Sequence, residues 1–84
     1  MQQFNCHITD KLGLHARPAG LLVKTVQPFA CSVTLTCNGK TADAKKLFCV
    51  MGLGAKCGDV LQVICDGDDD AAALRAIEAF CEQL

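Results

Sequence analysis

Two side chains in the stretch Gly13-Leu14-His15-Ala16-Arg17-Pro18-Ala19 are of types that do chemistry together. An imidazole serves as a nucleophile or proton carrier near neutral pH. A guanidinium two residues on supplies a planar fork of donors suited to phosphate oxygens. The apolar positions Ala16, Ala19, Leu22, Val23 and Val26 follow helical spacing, which places His15 at the N-cap and Arg17 and Pro18 in the first turn. Proline costs little there, because the first N–H groups of a helix have no intrahelical acceptor. Those same unpaired groups, on Ala16 and Arg17, can meet an anion. The stretch therefore reads as a helix start suited to a phosphate, with a histidine beside it.

Other reactive residues are less suggestive. His7 falls on the polar side of an alternating segment, with no ligand-type neighbour at metal spacing, and is expected to be a solvated strand residue. The seven cysteines, Cys6, Cys31, Cys37, Cys49, Cys57, Cys65 and Cys81, contain no Cys-x-x-Cys pair. Cys6, Cys37 and Cys65 share the parity of apolar neighbours. The set is expected to be reduced and mostly buried, with Cys49 and Cys57 as the exposed thiols. Gly52-Leu53-Gly54 lacks the Gly-Lys-Ser/Thr of a phosphate loop and reads as a turn. The run Asp68-Asp69-Asp70 reads as a cap and acids at a helix start rather than a metal site. No metal or cofactor is expected.

The elements that must position His15 follow from periodicity. Residues 3–8 alternate, with Phe4, Cys6 and Ile8 on one face, and predict a strand. The helix after His15 is expected over 16–27, since Pro28 forbids its continuation. Gly20, Leu21 and Lys24 lie off its buried stripe. Residues 31–37 alternate again and lead into Asn38-Gly39, a hairpin signal because a type I′ turn needs positive φ at both central residues. A return strand over 40–44 follows. Residues 45–51 allow one or two helical turns, too few to bury Leu47, Phe48, Val50 and Met51 together, so an exposed apolar patch is expected. Residues 59–66 predict a fourth strand. A last helix runs to Leu84 and is expected to bury Ala73, Leu74, Ile77, Cys81 and Leu84. The order β-α-β-β-α-β-α is expected to give one α+β domain over residues 1–84, a four-stranded antiparallel sheet with three helices on one face.

Composition limits the function classes. A net charge of −1 gives no basic footprint for nucleic acid. No apolar run approaches the roughly 20 residues of a membrane span, so no direct membrane insertion is expected. Met1-Gln2-Gln3-Phe4-Asn5 lacks the basic-then-apolar lead of a secretory signal. Cytoplasmic residence and a monomer are expected.

The motif around His15, taken with Asn38-Gly39-Lys40 and Met51-Gly52-Leu53-Gly54 at these spacings, resembles the HPr family, the histidine-containing phosphocarriers of the bacterial sugar phosphotransferase system. The resemblance spans the chain and implies an open-faced β-sandwich. It implies that His15 accepts a phosphoryl group on Nδ1 from phospho-enzyme I and donates it to sugar-specific IIA proteins or domains, with Arg17 contacting the phosphate. It also implies docking through Gly20, Leu21, Lys24, Leu47, Phe48 and Met51. Many Gram-positive members carry a regulatory serine where this chain has Lys46, and the one serine, Ser32, lies on a strand. The seryl branch of control is therefore expected to be missing. A family paralogue that regulates by docking alone is the alternative, although such a module has no need of both His15 and Arg17.

Overall fold

The computed structural model describes residues 1–83. The chain runs through strand β1 (Gln2–His7), helix α1 (Ala16–Val26), strands β2 (Ser32–Cys37) and β3 (Lys40–Asp43), helix α2 (Leu47–Met51), strand β4 (Val60–Asp66) and helix α3 (Asp70–Cys81). All four strands form one antiparallel sheet in the order β1-β4-β2-β3. Alternation in the sequence becomes rows across this sheet. Phe4, Val63, Leu35 and Ala42 stand opposite one another on the covered face, while Asn5, Gln62, Thr36 and Thr41 form the next row on the open face. A one-residue slip of any strand would turn its apolar set to water, so the pattern fixes the register.

The helices close the covered face. Ala19, Leu22 and Val26 of α1, Val50 of α2, and Ala73 and Ile77 of α3 are buried with Ile8, Val33, Leu35, Leu61 and Val63 of the β1 region, β2 and β4. Ala16 departs from the expected stripe and is exposed, because it lies at the outermost end of α1. Val23, Leu74 and Cys81 are half-buried. Leu84 lies outside the described residues. The β2–β3 hairpin turns through Asn38 and Gly39, at φ 53° and 78°, the conformation that the Asn-Gly pair favours. Its tip is tied to the turn before β4, where Asp59 Oδ2 accepts the Lys56 N–H at 2.8 Å and the Asn38 side-chain amide at 3.0 Å. These donors, the Lys56 N–H first, hold the Asp59 carboxyl below the usual carboxylate range.

Two further expectations change. Cys6 and Cys81 are joined as a disulfide, with their Cα atoms 6.0 Å apart, rather than standing as reduced thiols. Parity had shown that Cys6 faces inward, but its partner is 75 residues away. The remaining five cysteines are free, and Cys49 and Cys57 are the exposed ones. Asp69 occupies the N-cap of α3 but makes no side-chain cap bond. Its carboxylate instead accepts the N–H groups of Ala30 and Cys31, each at 2.8 Å, and so fastens the start of β2 to the start of α3. The Ala30 N–H is the main cause of its depressed titration.

Candidate functional site

His15 stands at the N-cap of α1 in an extended conformation, φ −85° and ψ −175°, with no side-chain cap bond. The ring is thus not used to finish the helix. Its carbonyl accepts the Ala19 N–H at 2.9 Å, which starts the helical ladder. Ala16, Arg17 and Pro18 form the first turn, so Pro18 sits where no N–H is required. No acidic residue lies in that turn, leaving the positive end of the helix uncompensated from within.

The loop leading into His15 is held by a close backbone approach. Gly13 has φ 67°, and a Cβ there would lie 2.5 Å from the Ala55 carbonyl oxygen and 2.7 Å from the Lys56 Cα. The next N–H, on Leu14, donates to that same Ala55 carbonyl at 3.0 Å. Only glycine satisfies both the positive φ and the lack of space. Leu14 is buried, so the residue before the histidine is anchored in the core and the histidine itself emerges.

His15 opens onto a cleft of about 130 Å³ lined by Asp10, His15, Arg17, Pro18, Leu21, Phe80 and Gln83. His15, Arg17 and Leu21 were expected from sequence. Asp10, Phe80 and Gln83 were not. Asp10 had a local signal, since Asp-x-x-Gly favours a side-chain-capped turn, and Asp10 Oδ1 does accept the Leu12 N–H at 2.9 Å. Oδ2 lies 4.0 Å from His15 Nε2. Phe80 and Gln83 had no such signal, because only the docking of α3 brings them to residue 15. The disulfide at Cys81 stands between them in sequence and binds this end of α3 to β1.

Exposed apolar surface lies on α1 and α2, and Leu21 brings it to the cleft. Leu21 on α1 is 49% exposed, and Leu47, Phe48 and Met51 on α2 are 38%, 88% and 41% exposed. α2 packs on α1, which places these residues, with Gly20 and Lys24, on neighbouring elements. Lys46 is exposed at the N-cap of α2. Ser32 Oγ, at the start of β2, donates to the Asp66 carbonyl at 3.3 Å. His7 is exposed on β1 and lines no part of the cleft. Among the described residues, no helix is long and apolar enough to cross a membrane.

Residues 2–83 match the family model described as the PTS HPr component phosphorylation site. The phosphocarrier protein HPr of Mycoplasma capricolum is 38% identical over 78 residues, covering 93% of this chain and 88% of that protein. Among solved structures, a Mycoplasma histidine-containing phosphocarrier protein superposes with a TM-score of 0.92 at 37% identity, covering 94% of this chain and 90% of that one. The Bacillus subtilis catabolite repression protein Crh, described as a dimer with a swapped domain, gives a TM-score of 0.77 at 32% identity over 99% of this chain and 95% of that one. A relative that dimerises removes any ground for carrying the monomer expectation forward.

Proposed function

Because the chain belongs to the HPr phosphocarrier family of the phosphotransferase system, we propose that His15 is the residue that carries the phosphoryl group, accepting it from phospho-enzyme I and passing it to sugar-specific IIA proteins in the cytoplasm. The observation that carries this reading is the histidine held at the open N-terminus of α1 with Arg17 in the same first turn and the same cleft. Arg17 and the N–H groups of Ala16 and Arg17 supply donors for the phosphate oxygens. The helix end contributes on the order of 0.3–1 kcal/mol at an exposed position, enough to favour the phosphorylated form without preventing onward transfer. No cofactor is required, since nucleophile and oxygen donors both come from the chain.

The partners would meet Gly20, Leu21, Lys24, Leu47, Phe48 and Met51, an apolar face with a cation at its margin. With Lys46 at the start of α2, the chain offers no hydroxyl there, and Ser32 is engaged by Asp66. We therefore read this carrier as lacking control by seryl phosphorylation. The likeness to Crh supports a second reading, a regulatory paralogue that works by docking alone. Incubation with phosphoenolpyruvate and enzyme I separates the two. A carrier gains one acid-labile phosphate, His15→Ala gains none, and a docking module gains none in either form. Labelling by an ATP-dependent seryl kinase would remove the claim about Lys46.

A further inference from the structure

We propose that Asp10 is the positioning residue for the His15 ring, holding the ring proton on Nε2 and leaving the Nδ1 lone pair as the nucleophile. The consequence for transfer rests on the carrier reading above. The ring orientation rests on geometry. Asp10 is itself fixed, since its Oδ1 accepts the Leu12 N–H and its carbonyl accepts the Gly13 N–H, both at 2.9 Å. Its other carboxylate oxygen, Oδ2, is left to face His15 Nε2 at 4.0 Å. That separation is an ion-pair distance, longer than a direct hydrogen bond. The His15 and Asp10 side chains are 36% and 35% exposed, so a small rotation completes the direct contact, as catalytic contacts often tighten only when substrate arrives.

A carboxylate only accepts hydrogen bonds, so it favours the tautomer that presents N–H to it. In a neutral imidazole the other nitrogen is then bare. Arg17, among the described residues the other charged side chain lining the cleft, is a donor throughout and does not compete for that proton. In the transfer, the Nδ1 lone pair forms the new N–P bond while the donor's bond to phosphorus breaks and its electron pair stays with the donor. The His15 ring keeps its Nε2 proton and gains positive charge, which the Asp10 carboxylate offsets. On donation the N–P bond breaks, its pair returns to Nδ1, and the neutral Nε2–H ring is restored. Phosphoryl passes in and out with no proton exchanged with solvent.

Asp10→Asn tests this directly. Its carbonyl oxygen can keep the bond from Leu12 N–H while its amide presents a donor to Nε2, which reverses the preference. Histidine ¹⁵N NMR on the unphosphorylated protein, with His15→Ala used to assign the ring signals, reads the tautomer without any partner. The expected result is Nε2–H in the wild type, a shift toward Nδ1–H in Asp10→Asn, and retention of Nε2–H in Asp10→Glu, which keeps the charge. The initial rate of phosphoryl uptake from phospho-enzyme I should fall about tenfold in Asp10→Asn, below the usual range for proton-handling groups because water competes at this depth. An unchanged tautomer in Asp10→Asn, or a changed tautomer with an unchanged rate, would overturn the proposal. A wild type that takes up no phosphoryl group while its tautomer responds to Asp10→Asn would instead overturn the carrier reading and uphold the role of Asp10 in orienting the ring.

Discussion

At the scale of single residues, position in the chain decides what can be read in advance. That His15 and Arg17 share one cleft was legible because they are two residues apart and the helix start that unites them is local. Asp10 was within reach of the same reading, but its aim depends on a turn whose geometry the residue types only suggest. Phe80 and Gln83 depend on how a distant helix docks, which no local pattern encodes. Cysteine parity showed which thiols face inward and could not show which two meet. The free thiols separate sharply by environment. Burial, with the Asp69 carboxylate beside it, pushes the Cys31 thiol up to about 11, and burial raises Cys37 and Cys65 as well. Thiolate, not thiol, is the nucleophile. Alkylation of the native protein with iodoacetamide should therefore label Cys49 and Cys57 quickly and the other free thiols slowly. Unfolding without reductant should raise the total to five, and adding reductant should raise it to seven. Mass spectrometry of the intact protein reads each count.

At the scale of elements, strands and helices fell within one to three residues of their expected bounds because each carries its own stop signal. Pro28 follows the C-cap of α1, Asn38-Gly39 sets the hairpin, and alternation limits each strand. The acidic run before α3 was read less well, since Asp69 serves a neighbouring loop instead of its own helix. A side chain at a helix start has several N–H groups within reach, and tertiary contact chose among them. The most demanding element for the site is the loop through Gly13, where a Cβ has no room against residues 55 and 56. Gly13→Ala should destabilise the fold by about 2 kcal/mol or more, from the positive φ and the collision together. It should also slow phosphoryl uptake, since the backbone that presents His15 must move. Gly20→Ala, at an α1 position where an added methyl meets open space, is the control and should leave stability level or slightly raised. Denaturant midpoints distinguish the pair.

At the scale of the molecule, the Cys6–Cys81 link closes nearly the whole chain into one loop. A crosslink over so long a loop restricts the unfolded chain and commonly contributes about 2–4 kcal/mol. Melting with and without dithiothreitol should differ on the order of 10–20 °C for a chain of this size. Cys6→Ser should melt at the lower temperature whether or not reductant is present. Sheet order has a different reach. β4 lies between β1 and β2, yet it is the last strand to leave the ribosome. Until it emerges, β1 has no partner, and of the sheet only the β2–β3 hairpin can form. Residues 55 and 56, against which the Gly13 loop closes, are made only shortly before it. A nascent chain halted before residue 60 would therefore hold its histidine on an unframed segment, and competence to carry phosphate would arrive late in synthesis and all at once.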